Sequence, residues 1–284
     1  MRILVTGASS FVGAHFARMA ALEHDVVGVH HQTPLSLNRV TPFRCDLRHP
    51  AAVERLKALK PDVVVHLACK VMGKGAAEIS RKLMDVVLEL EAPVLYGSST
   101  MVHWPVDVAY ANARREDERR LVESGLPHAI LRPCAPYGPR LQAHTPRHKE
   151  SFHTLAEFIE RSPVVPVPGD GRYRRQPIHV EDFCLAGLRL VEGGLVGQAL
   201  DAGGGDAISM NDLVAQLAEA LERSPRVVHL PAWLNRGLGR LRSELDPELL
   251  SVFDTDDIAD PTELTKATGV VPRRFREGAG DLRS

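Results

Sequence analysis

At 284 residues, with 44% hydrophobic and 25% charged side chains, the chain is composed like a globular protein with room for one large or two interlocked domains. A formal net charge of −1, from 35 Lys+Arg against 36 Asp+Glu, lacks the basic excess that a nucleic-acid partner attracts, so none is expected. Met1 leads directly into an apolar run with no room for a signal segment, and no run is long enough to span a bilayer; a cytoplasmic location is expected.

The first strand is expected at Ile3–Thr6, turning at Gly7 into a helix that runs past Gly13. A strand feeding a tight turn into a helix aims free backbone N–H groups and the positive end of the helix dipole at one point, which suits a phosphate. In the dinucleotide form of this turn three glycines recur, and Ser10 stands where the middle one would be. Val12, Phe16, Met19 and Ala20 then follow helical spacing, and Val26–Val29 closes a βαβ unit.

Further strands are predicted at Phe43–Cys45, Val63–Leu67, Val94–Tyr96 and Ala129–Arg132. Between them lie helical patterns at Ala51–Leu59, at Ile79–Leu90 with Ile79, Leu83, Val86, Val87 and Leu90 on one face, and at Tyr110–Ser124. This alternation predicts an α/β fold, a Rossmann doubly wound parallel sheet that binds ligands at the carboxyl ends of its strands. Beyond Pro133 a proline-crowded stretch rich in Arg and His breaks the pattern. It marks a smaller, interleaved C-terminal substrate lobe. The expected division is 1–135 for the dinucleotide-binding domain, with 173–200 returning to it, and 136–172 plus 201–284 for the lobe. A late helix is capped by Ser209, with Asp212 three residues on and Leu213, Leu217 and Leu221 along one face. The acidic stretch from Glu244 to Glu263 is expected to be solvated surface.

Cys45, Cys69, Cys134 and Cys184 form no Cys-x-x-Cys pair and are expected to be buried thiols. His144, His148 and His153 are interrupted by Pro146 and lack a carboxylate or thiol partner, so no metal is expected.

A set of motifs follows in order: Thr6-Gly7 to Gly13, Asp46-Leu47, His66-Leu67-Ala68, Ser98-Ser99-Thr100, Tyr110 with a base four residues on, Leu131-Arg132-Pro133 with Tyr137-Gly138, and Arg175 leading into His179-Val180-Glu181-Asp182. This order resembles the extended short-chain dehydrogenase/reductases, and more narrowly the NAD-dependent epimerase/dehydratase family that modifies nucleotide-linked sugars. The resemblance covers nearly the whole chain. It implies that Gly7, Ser9, Ser10, Phe11, Val12 and Gly13 surround a cofactor pyrophosphate, that Asp46 and Leu47 face the adenine, and that Leu67, Ala68, Cys69 and Pro133 line the cofactor's path. Read without the resemblance, Asp46 is a helix cap and Leu67-Ala68 is buried strand.

The resemblance also implies a catalytic set of Ser99, Tyr110 and Arg114. A phenol with a pKa near about 10 is a poor base at neutral pH, so a neighbouring cation must lower it. The family places a lysine there; this chain has Arg114, which keeps its charge and can hold the nicotinamide ribose. Ser99, or Thr100 beside it, would hydrogen-bond the reacting oxygen. Dehydratases of the family carry an Asp-Glu pair where Thr100-Met101 stand, so dehydration is disfavoured. The second strand ends in His30-His31-Gln32 without the carboxylate that marks NAD preference, which leaves NAD or NADP open and tilts toward NADP(H). Arg175 aligns with an arginine that pairs with a substrate diphosphate. The expected activity is reduction of a keto-sugar linked to a nucleotide or lipid diphosphate. Epimerisation and a non-catalytic NAD(P)-binding sensor or scaffold are the alternatives, and a homodimer is the assembly the resemblance implies.

Overall fold

A computed structural model describes residues 1–70, 75–105, 107–141, 151–231 and 255–283. In chain order the first half contains β1 (Arg2–Thr6), α1 (Phe11–Ala20), β2 (Asp25–His30), β3 (Val40–Arg44), α2 (Ala52–Lys57), β4 (Val63–His66), α3 (Ala76–Glu89) and β5 (Val94–Gly97). A 3-10 turn (Thr100–His103), α4 (Ala109–Glu123) and β6 (His128–Pro133) follow. The second half contains α5 (Ser151–Arg161), β7 (Val164–Pro168), β8 (Arg174–Arg175), α6 (Val180–Glu192), β9 (Val196–Ala202), β10 (Ile208–Ser209), α7 (Met210–Ala220) and β11 (Arg226–Leu230). It closes with α8 (Thr262–Thr268), α9 (Phe275–Gly278) and a terminal 3-10 turn (Ala279–Leu282).

The apolar runs Ile3–Val5 and Val63–Val65 are buried on both faces, as central parallel strands must be when helices cover each side. Seven parallel strands take the order β3-β2-β1-β4-β5-β6-β9. Ile3, Val5 and Leu131 pack with Phe16 of α1 and Phe183 of α6 on one face. On the other, Leu4, Val64 and Ile130 pack with Met84 of α3 and Leu121 of α4. The strand order reverses between β1 and β4, which opens a crevice over their carboxyl ends.

A third core joins Tyr137, Phe152, Val167, Leu213, Leu217 and Phe275. It lies between α5, α7, α9 and the parallel pair β7–β11. The predicted cap at Ser209 is present: its hydroxyl accepts from the Asp212 N–H at 3.0 Å and starts α7. Among the described residues no helix is long and apolar enough to cross a membrane.

Three features differ from the local pattern. The third strand begins at Val40 and contains Pro42, which an edge strand tolerates because one side of it needs no ladder bonds. The segment 201–284 is not a single lobe, because β9 ends the main sheet at Ala202 and Leu264 and Val270 join the core beneath α1 and α6. The acidic stretch is partly structural: Asp256 pairs with Arg174 at 2.8 Å, and Asp257, 8% exposed, accepts from the Trp104 indole at 3.2 Å. Residues 244–254 of that stretch lie outside the described residues. Long-range pairing decides all three, and local composition does not encode it.

Phe275 is fully buried between Tyr137 and Phe152, with ring centroids 4.9 and 5.7 Å away. Phe275→Ala is expected to cost about 3–5 kcal/mol of stability, read as a lower urea midpoint.

Candidate active site

The turn after β1 is built from close backbone approaches. Gly7 has φ +69°, and a Cβ there would lie 2.7 Å from the Ala68 nitrogen at the end of β4. A Cβ on Gly13 would lie 2.1 Å from the Gly7 carbonyl oxygen, so neither position accepts a side chain. Ser10 caps α1, its hydroxyl accepting from the Gly13 N–H at 3.0 Å, while its carbonyl accepts from Ala14. The amides of Phe11 and Val12 are thereby left without intrahelical partners at the positive end of the helix. Ser9 and Ser10 are half-buried on this loop, and Leu67, Ala68 and Cys69 are half-buried at the end of the neighbouring strand. A glycine cradle with free amides fits the pyrophosphate of a dinucleotide. Cys69 differs from the expected buried thiol; Cys45, Cys134 and Cys184 are buried.

Asp46 does not cap α2, whose N-cap is Ala51. Its carboxylate is gripped by Arg48, at 2.9 Å from Nε and 2.7 Å from Nη2, and lies 3.5 Å from His31 Nε2. The Arg48 hydrogen bonds hold its pKa down at about 2. An acid therefore does stand beside the end of β2, supplied by the segment after β3 where the strand's own sequence shows none. Leu47 is buried, and His30 is half-buried with Nδ1 unpartnered.

Ser99 ends the loop after β5 and caps the 3-10 turn, accepting from the Met101 N–H at 3.3 Å. Tyr110 lies in the first turn of α4, and Arg114 and Ser99 are nearby polar groups that act on its phenol. Arg114 is 4% exposed, with its guanidinium carbon 5.1 Å from the Tyr110 ring centroid. The two residues are thus not a surface pair on a helix. Nη1 of Arg114 donates to Tyr96 Oη at 2.7 Å and to the Gly97 carbonyl at 3.2 Å. Burial raises the Tyr110 pKa above its ordinary value of 10, although Arg114 and Ser99 pull it down. Arg114 thus acts on the phenol in the expected direction, while desolvation acts more strongly the other way.

Thr100 is buried and its hydroxyl donates to the Pro133 carbonyl at 3.4 Å, which turns it onto the backbone. Arg175 donates from Nη1 to the carbonyls of Arg174 and Thr255 and stacks on Tyr173 at 4.8 Å, so part of its guanidinium holds the segment around residue 255. His144 and His148 lie outside the described residues; His153 is buried and bonded to the Gly138 carbonyl at 2.8 Å. No cluster of metal-ligating side chains occurs among the described residues.

Beneath the candidate pair lies a polar network in which sequence reasoning missed Tyr96, Asp117, Glu118 and Asp201 and named Thr6, His66, Ser98 and Arg132 only as motif residues. Tyr96 Oη donates to Asp117 at 3.1 Å, and Tyr96 stacks on His66 with ring centroids 5.7 Å apart. His66 Nδ1 shares a 2.7 Å hydrogen bond with Thr6. Beside them Glu118 accepts from Ser98 at 2.5 Å and from Arg132 at 2.7 Å, and Arg132 also reaches Asp201 at 3.3 Å. A signal for this network was present: Arg114, Asp117 and Glu118 share the inward face of α4 with Leu121. Charges on a buried stripe require partners.

The chain matches the NAD dependent epimerase/dehydratase family over residues 3–100 and 109–203. It therefore belongs to that family. Its relatives include a dTDP-glucose 4,6-dehydratase of Streptomyces niveus, 24% identical over 78% of this chain and 77% of the relative. A dTDP-4-dehydro-6-deoxy-D-allose reductase of a Streptomyces species is 26% identical over 79% of this chain and 82% of the relative. The fold superposes on a UDP-glucose 4-epimerase from Bifidobacterium longum in complex with NAD+ and UDP, with a TM-score of 0.79, 19% identity and coverage of 99% of this chain and 97% of that one.

His66 is held at a pKa of about 3, from an ordinary 6.5, first by burial and second by the Arg114 charge. The unfolded chain takes up this proton near 6.5 and the folded chain does not, so the stabilisation is complete above 6.5 and is lost as pH falls toward about 3. In urea titrations across that window, His66→Gln should make the fall in stability shallower by up to about 1.4 kcal/mol per pH unit.

Proposed function

We propose that the chain is an NAD(P)-dependent oxidoreductase that reduces a keto-sugar linked to a nucleotide or lipid diphosphate. The observation that carries the proposal is the geometry at the start of α4: the buried Arg114 guanidinium lies 5.1 Å from the Tyr110 ring centroid, beside a phenol that at neutral pH holds the proton a nascent alkoxide needs. A bound dihydronicotinamide would supply the hydride to the carbonyl carbon. The chain's part is to deliver the Tyr110 proton to the carbonyl oxygen, with Ser99 beside it and Arg114 as the cation that stabilises the phenolate left behind. The keto-sugar reductases among the relatives support this direction over epimerisation, and Thr100-Met101 in place of an acidic pair speaks against dehydration.

For the cofactor itself, NADP(H) is the preferred form. Support comes from the basic side chains beside the end of β2, His31 and Arg48, with Arg48 balancing the Asp46 carboxylate that the segment after β3 brings there. Arg175, stacked on Tyr173, is proposed to meet the substrate diphosphate.

Tyr110→Phe should lower steady-state turnover of a cognate keto-sugar by about 10²–10⁴-fold. Wild-type reduction should hold through neutral pH and decline only as pH rises above 10, because the active form is the protonated phenol and its pKa is raised from 10. Calorimetry should find NADPH bound about tenfold or more tighter than NADH; the reverse order would assign the cofactor as NAD(H).

A further inference from the structure

Arg114 does not stand alone beneath Tyr110. Its Nη1 donates to Tyr96 Oη at 2.7 Å, and the same hydroxyl donates to Asp117 Oδ2 at 3.1 Å. The phenol of β5 therefore sits between a buried cation and a buried acid carried by the same helix, three residues apart. Asp117 is 2% exposed, and its Oδ1 has no hydrogen-bond partner. Such a carboxylate is drawn toward the nearest guanidinium.

We propose that Tyr96 is a positioning residue, a spacer that keeps Arg114 and Asp117 from closing into a direct ion pair and so holds the Arg114 charge under Tyr110. The proposal rests on Tyr110 as the proton-active group, and it explains how arginine works where the family uses lysine. A guanidinium reaches further than an ammonium and presents several donors, so it needs an acceptor that fixes it without neutralising it. Tyr96 Oη and the Gly97 carbonyl are both uncharged acceptors. A direct Arg114–Asp117 pair would cancel the charge that Tyr110 senses.

Among the described residues the surroundings supply no substitute cation. From its own helix Tyr110 faces Arg114, from the end of β4 it faces Cys69, and from the end of β5 it faces Ser99. Behind Tyr96 stands His66, which is neutral above a pH of about 3. Asp117 is influenced by Arg114, Arg120 and Glu116 on α4 itself. Arg120 is turned outward to Asp85 of α3.

The chain has four tyrosines, so 19F NMR of protein labelled with 3-fluorotyrosine gives one resonance for each, with Tyr110 assigned by Tyr110→Phe. Fluorination makes the phenol more acidic and brings its ionisation into an accessible range. Neither sugar nor cofactor is present in this titration, so an inactive enzyme would sink the proposed function without touching this result. Tyr96→Phe should raise the Tyr110 midpoint by about one pH unit, as the guanidinium closes on Asp117. Asp117→Asn should lower it or leave it in place, and the double variant should return the midpoint to about the wild-type value. If Tyr96 only filled space, the double variant would stay as displaced as Tyr96→Phe. That result, an unmoved midpoint in Tyr96→Phe, or a raised one in Asp117→Asn would overturn the spacer role. The Asp117→Asn arm stands by itself if Tyr96→Phe does not fold.

Discussion

The arrangement depends on one constraint, the approach of three backbone segments at the carboxyl end of β1. Gly7 leaves the strand with positive φ against Ala68, and Gly13 then brings the first turn of α1 onto the Gly7 carbonyl. No Cβ fits at either position, so helix, strand and neighbouring strand meet at backbone distance. The amides at the start of α1 thus face the crevice at the point where the sheet order reverses. Ser10 in place of the middle glycine leaves this intact, because its hydroxyl turns inward to cap the helix.

From that point a line of polar groups runs through the sheet to the candidate pair. Thr6 bonds His66, His66 stacks on Tyr96, Tyr96 bonds Arg114, and Arg114 lies under Tyr110. Each strand from β1 through β4 to β5 contributes one member, all within the core. Buried polar groups are costly unless satisfied, and here each answers the next. The line ends with a buried guanidinium set against the Tyr110 ring.

The second lobe is tied to the sheet by ionic and polar contacts made late in the chain. Asp182 at the start of α6 takes both the Arg273 guanidinium, at 2.8 Å, and the Arg273 N–H, at 2.9 Å. His179, which caps α6, reaches Asp281 at 3.0 Å. Trp104, just after the turn bearing Ser99, donates to Asp257. The region that begins after Pro133 and the region beyond residue 255 therefore close over the same strand ends, although a long stretch of sequence separates them.

Apart from β3, the strands and helices through β6 were legible because period and turn chemistry are local: apolar runs, the Gly7 turn and, later, the Ser209 cap are each fixed by neighbours a few residues away. Ser99, Tyr110 and Arg114 were named together from motif order, and the structure sets Arg114 against the Tyr110 ring. The sequence alone could not say that Asp46 would come to lie beside His31, that Arg114 would be buried against Tyr96, or that desolvation would outweigh its charge at Tyr110. Nor could it send Leu264 and Val270 back to the first core. These depend on which strands lie side by side and how much water their packing removes, and only the assembled sheet brings residues so distant in sequence close enough to settle either.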